Sequence, residues 1–254
     1  MTSHILVEQK GAVCVIKFNR AEKKNAITMD MYAGLREALD QAEENPEIRV
    51  CILATNGEDF SAGNDLQDFM SNPDLSPNNP VVQFIKALPG YKKPLLAAVE
   101  GIAVGVGVTM LFHCDMVYAG KSASFSLPFV NIALVPEAGS TLLLPKIVGA
   151  PKAAEMLMLG EPISAVDALD NKMINEVVKD GFALARAIET AEKLALKAPN
   201  ALLTTKALLK SGKQDLAEVM DDEFKAFAAC LSSAEVREAI MAFMEKRKPD
   251  FTQF

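Results

Sequence analysis

Three short runs in this chain carry neither charge nor alternation: Val50-Cys51-Ile52-Leu53-Ala54, Leu95-Leu96-Ala97-Ala98-Val99 and Met116-Val117-Tyr118-Ala119. A strand with one wet face alternates apolar and polar side chains. A wholly apolar run of four or five residues therefore belongs to a strand covered on both faces. Such strands occur where helices lie over a sheet with parallel members, and helical patterns do separate these runs. The clearest precedes the first run: Met31, Leu35, Leu39 and Ala42 repeat at helical spacing to about Glu44, behind Thr28, a residue type that caps helix N-termini. Residues 4–10 and 13–18 flank Gly11 as the two arms of a β-hairpin. The expected class is α/β.

From residue 150 the pattern becomes helical, with helices expected at about 151–159, 164–169, 182–197, 200–211, 214–231 and 233–246. Val219, Phe224, Phe227 and Leu231, then Val236, Ile240 and Phe243, are spaced as apolar helix faces that must cover the core or a neighbouring subunit. The chain divides on this pattern into a core, residues 1–195, and a helical C-terminal region, residues 196–254. Met70–Pro80, rich in Asn, Pro and Ser, is expected to be a loop. Half of the 254 residues are apolar, enough for a sizeable core. The net charge of −7 and pI near 5.0 argue against a nucleic-acid partner, which needs clustered Lys and Arg. The most apolar segment, Leu95–Cys114, is broken by Glu100 and too short to span a bilayer, so no membrane partner is expected. Cys14, Cys51, Cys114 and Cys230 form no CxxC pair and are read as reduced structural residues. His113 reads as a buried, hydrogen-bonded core histidine, and with His4 remote no metal site is expected.

Two segments carry chemistry. Phe60-Ser61-Ala62-Gly63-Asn64-Asp65-Leu66 follows a buried strand, and Gly101-Ile102-Ala103-Val104-Gly105-Val106-Gly107-Val108 precedes a helix-compatible run. Small residues let a ligand approach backbone N–H groups, and two such loops facing each other would make an oxyanion hole. The same glycines also serve tight turns and close packing, and spacing alone does not choose. Glu137, in Leu134-Val135-Pro136-Glu137-Ala138-Gly139-Ser140, stands ahead of another helical pattern. It reads either as an acid/base or as an acid complementing a helix dipole.

Together these segments resemble the crotonase (enoyl-CoA hydratase/isomerase) superfamily. Asn19-Arg20-Ala21-Glu22-Lys23-Lys24-Asn25-Ala26, Phe60–Leu66, Ala98–Gly107, Cys114-Asp115, Tyr118-Ala119 and Pro145-Lys146-Ile147-Val148-Gly149 follow that family's order, over about residues 5–250. The resemblance implies a crotonase-type spiral of ββα units with a helical C-terminal trimerisation region, assembled as a homotrimer or homohexamer. It implies an acyl-CoA substrate, with coenzyme A part of the substrate and no separate cofactor. The thioester oxygen would meet the N–H groups of Asn64 and Val106. Ala62, Gly63, Leu66 and Gly105 would flank the coenzyme. Lys23 and Lys24 would approach its phosphates, or are solvated surface lysines.

Hydratases of that family use two glutamates, and here Thr109 and Phe129 stand at their positions; neither is a general base at neutral pH. The Pro-Phe and Val-Pro-Glu-Ala-Gly-Ser strings instead resemble the monofunctional Δ3,Δ2-enoyl-CoA isomerases, in which Glu137 would shuttle the proton against an apolar wall including Phe129. Phe125 reads as core, and Met156, Met158, Met173 and Met220 as filler of the core or acyl pocket. The chain ends Thr252-Gln253-Phe254 rather than Ser-Lys-Leu, so a bacterial-type cytoplasmic enzyme is expected. Another crotonase-type reaction (hydration, thioester hydrolysis, dehalogenation) and a non-catalytic acyl-CoA-binding relative stay open.

Overall fold

The computed structural model describes residues 2–71, 76–212, 233–252 and 254. The hairpin forms as expected: β1 (Ile5–Lys10) pairs antiparallel with β2 (Val13–Phe18), Ile5 opposite Phe18. From β2 the sheet grows in parallel through β3 (Val50–Thr55), β4 (Leu95–Val99), β6 (Met116–Gly120) and β9 (Glu176–Val178). A smaller sheet joins β5 (Ile102–Val104), β7 (Ser124–Ser126) and β8 (Ile163–Ser164). All three apolar runs are central strands of the large sheet.

Period-two alternation shows why those runs are apolar throughout. Cys14, Ile16, Cys51, Leu53, Leu95, Ala97, Val117 and Ala119 point to one face, where α1 (Met29–Glu44) lays down Met31, Leu35, Ala38 and Leu39. Their neighbours Val13, Val15, Val50, Ile52, Leu96 and Ala98 point to the other, under Ala183, Ala187 and Ala191 of α8 (Ala183–Ala195). Thr28 caps α1 by accepting from the Met31 N–H at 3.3 Å.

Met70–Pro80 is not loop throughout. Helix α2 (Leu66–Ser71) takes its start, and α3 (Pro80–Ala87) begins at its last residue. Asn79 caps α3, accepting from the Val81 N–H at 2.8 Å, and Pro80 takes the first position, where a missing N–H costs nothing. Further along come α4 (Val106–Thr109), α5 (Ser140–Val148), α6 (Ala150–Leu159), α7 (Ala165–Asp170), α9 (Pro199–Leu209) and α10 (Ala234–Met244). The expected helix over 214–231, with Met220 and Cys230, lies outside the described residues.

Helix α9 is tied to the sheet by charge. The buried Lys206 ammonium pairs with Asp115 at 2.7 Å and donates to the Lys93 carbonyl at 2.6 Å, while Asp115 accepts from the Leu95 N–H at 2.8 Å. Burial holds the Lys206 pKa below the ordinary lysine range, against the opposing pull of Asp115.

Gly101, two residues past the end of β4, has φ +56°, and a Cβ there would lie 2.3 Å from the Glu58 carbonyl and 2.4 Å from Asp59 Oδ1. Gly101→Ala combines left-handed strain with a clash against backbone. It is expected to destabilise the fold by roughly 2–4 kcal/mol. A denaturant melt of the variant matching that of the native chain would contradict this.

Candidate active site

The two glycine segments do face each other, held by main chain. Past β3, the Phe60 N–H donates to the Glu100 carbonyl at 2.7 Å, Ser61 to Ile102 at 3.0 Å, and Val104 back to Ser61 at 2.9 Å. Close approach explains the small residues: a Cβ on Gly63 (φ +87°) would sit 2.8 Å from the Val104 carbonyl, and one on Gly107 3.0 Å from that of Ser61. The two readings of these glycines are therefore compatible, since tight packing is what brings the two segments together.

A second clamp orients Asn64. Ile27 donates to the Gly63 carbonyl at 2.8 Å and accepts from the Asp65 N–H at 2.9 Å, a parallel bridge centred on Asn64. In such a bridge the central residue's own N–H points away from its partner. Val106 opens α4, where first-turn N–H groups lack intrahelical acceptors. Among the described residues neither the Asn64 nor the Val106 N–H donates to another group. Both residues line a cavity of about 180 Å³ with Ala62, Gly63, Leu66, Gly105 and Phe129. Asn64 and Phe129 also border a second cavity of about 380 Å³, whose walls are largely apolar and include Phe69, Val81, Ile85, Leu134 and Glu137.

Glu137 is the one carboxylate among the described residues lining either cavity. Its carbonyl accepts from the Ser140 hydroxyl at 2.6 Å at the start of α5. Its carboxylate turns away from that helix: Oε1 accepts from the Thr109 hydroxyl, and Oε2 is buried with no partner among the described residues. The helix-dipole reading does not describe this geometry. Burial raises the Glu137 pKa above the ordinary carboxylate value, partly offset by the Thr109 hydrogen bond. Thr109, legible in sequence only as a missing glutamate, is fully buried and orients the carboxylate. Phe129 is 8% exposed, its ring part of both cavity walls.

Lys24 sits at the rim: its carbonyl accepts from the Ala62 N–H at 2.8 Å, and its ammonium lies 3.7 Å from Asp59. Lys23 is exposed beside it. Asp65 holds the loop, pairing with Arg20 at 2.7 Å and accepting from the Gln67 and Asp68 N–H groups. His113 is buried, its Nε2 2.8 Å from the Ala138 carbonyl, which braces the Glu137 loop. Phe125 is core. Tyr32 was not singled out by sequence. It is an ordinary apolar-face residue of α1 by period, yet its hydroxyl donates to Asn64 Oδ1.

The family model described as enoyl-CoA hydratase/isomerase matches residues 8–254. A solved protein from Magnetospirillum magneticum AMB-1, provisionally described as an enoyl-CoA hydratase/carnithine racemase, is 41% identical with a TM-score of 0.96, covering 99% of this chain and 100% of that one. The 2,3-dehydroadipyl-CoA hydratase of Escherichia coli (strain K12) is 33% identical, over 98% of both chains. Enoyl-CoA delta isomerase 2 of Rattus norvegicus is 34% identical, over 96% of this chain and 64% of that protein.

The burial of Glu137 has a consequence for stability. Unfolded, this carboxyl titrates at its ordinary 4.5; folded, it titrates higher. Folding therefore takes up protons, and its contribution is lost as pH rises from the ordinary value through the raised one. Glu137→Gln removes the charge and is expected to melt above the native protein at about pH 7.5, with the advantage vanishing below pH 4.5. A melting difference independent of pH would contradict the burial argument.

Proposed function

The chain belongs to the enoyl-CoA hydratase/isomerase family, and from that premise we propose that it is a Δ3,Δ2-enoyl-CoA isomerase. The observation that carries this reading is the Glu137 carboxylate at an apolar cavity: one oxygen held by Thr109, the other buried and without a partner among the described residues. The thioester carbonyl occupies the junction of the two cavities and accepts from the Asn64 and Val106 N–H groups. The C2 proton of a 3-enoyl thioester is acidified by both the carbonyl and the alkene. Glu137 Oε2 removes it, the electron pair spreads into a dienolate, and the two N–H groups stabilise the oxyanion. The protonated carboxyl then returns that proton to C4, leaving the conjugated 2-enoyl ester and a regenerated carboxylate. One base suffices because both carbons lie on one face of the bound chain.

Hydration would need a second group to position and activate water, and Thr109 and Phe129 stand where the family's hydratases carry it. Desolvation favours the isomerase step, since an apolar wall excludes water and brings the carboxyl nearer the proton affinity of its carbon acid. The relatives' names divide between hydratase and isomerase, so the reading rests on the carboxylate count at this site.

The protein is expected to conjugate 3-hexenoyl-CoA without added metal or nucleotide, followed by ultraviolet absorbance. Brisk hydration of crotonyl-CoA with 3-hexenoyl-CoA untouched would overturn the assignment. Glu137→Gln should lower the isomerisation rate by roughly 10³–10⁴-fold while leaving ester binding nearly unchanged. A variant keeping more than about a tenth of the native rate would place the base elsewhere.

The same reading includes a homotrimer or homohexamer. Met158 (72% exposed) and Leu159 (55%) on α6, Leu196 just past α8 and Leu209 at the end of α9 leave apolar surface uncovered on a lone chain. Met158 is thus not the core filler its type suggests. Sedimentation is expected to give three or six copies at micromolar concentration, and a monomer there would refute it.

A further inference from the structure

Resting on the reading of these cavities as a CoA-ester site, we infer that Tyr32 is a positioning residue that fixes the Asn64 side chain and with it the polarity of the oxyanion loop. Tyr32 lies four residues past Thr28 on α1, 1% exposed, its ring packed against Phe84 with centroids 5.6 Å apart. The hydroxyl donates to Asn64 Oδ1. The segment that bridges Asn64 by main chain through Ile27 thus returns one turn of helix later to hold its side chain.

The direction of this bond matters. An Asn side chain has one acceptor and one donor end, and Tyr32 engages the acceptor. The NH2 end is left for the ligand side, where a thioester carbonyl gathers negative charge and Glu137 carries its own. Without the hydroxyl the amide is free to turn its oxygen towards both anions. Burial first, and the Glu137 charge second, keep the Tyr32 pKa well above its ordinary range, so the hydroxyl stays a donor wherever the enzyme works. Phe84, Val81 and Ile85 of α3 surround this corner with apolar surface, and Glu137 is the charge that Tyr32 feels.

The test compares Tyr32→Phe, Asn64→Ala and the double variant. The readout is the infrared carbonyl band of bound, isotope-labelled hexanoyl-CoA, a saturated ester that undergoes no double-bond shift. The native protein is expected to shift this band to lower frequency, Tyr32→Phe to lose much of that shift, and the double variant to lose no more than Asn64→Ala alone. On 3-hexenoyl-CoA, Tyr32→Phe should lower kcat about tenfold, less than the 10²–10³ of deleting an oxyanion donor, with KM little changed. A native-sized band shift in Tyr32→Phe overturns the inference, as does a loss from Tyr32→Phe that is equally large with and without Asn64→Ala. If Tyr32→Phe does not fold, Asn64→Ala alone decides: a native-sized shift there overturns it. The band is read without turnover, so failure of the isomerase reading appears only in the 3-hexenoyl-CoA assay.

Discussion

Everything at the site depends on one stretch of main-chain pairing, where Phe60 and Ser61 run beside Glu100–Val104. It is short, but both strands that feed it, β3 and β4, are adjacent central members of the large sheet. The sheet therefore sets the separation of two loops that are far apart in sequence, and glycines at 63 and 107 allow the final approach. Neither loop alone could supply both of the N–H groups that the proposed reading requires. For the proposed reaction, backbone donors have an advantage over side chains, because they lose no rotamer freedom on meeting negative charge.

The carboxylate is managed differently. Glu137 leaves a helix-start loop braced by His113 and Ser140, and Thr109 takes one of its oxygens. Burying an ionised carboxylate is costly, so Oε2, without a partner among the described residues, marks a group whose charge is held at the expense of stability. That is the pattern expected of a base kept close to its working proton affinity rather than of a structural ion. The Arg20–Asp65 pair in the neighbouring loop shows the contrast: there the hydrogen bonds of the helix start and the Arg20 guanidinium hold the carboxyl below its ordinary range.

Much of this was legible in the chain. Wholly apolar runs at 50–54, 95–99 and 116–119 gave the buried sheet because both faces of each strand are covered. Thr28 gave the start of α1, and the glycine spacing gave the two loops. Helix α3 escaped notice because its cap, Asn79, and its first residue, Pro80, look like loop residues when read by composition rather than position. Thr109 and Tyr32 escaped for a deeper reason. Each owes its role to one hydrogen bond across 28 or 32 residues of chain, and no local pattern encodes such a partner. Met158 misled in the opposite sense, since an apolar side chain on a helix says nothing about which face is covered.

The Lys206–Asp115 pair bears on how the molecule can be divided. Read from sequence, the chain divides into a core, residues 1–195, and a helical C-terminal region, residues 196–254. Yet Asp115 also accepts from the first N–H of β4, the strand that runs on towards Gly101. Severing the chain before α9 would leave that carboxylate without its cation at the base of the strand that leads into the Gly101–Val108 segment. Recombination or truncation at this junction would therefore sever an electrostatic root of that strand as well as remove a helix.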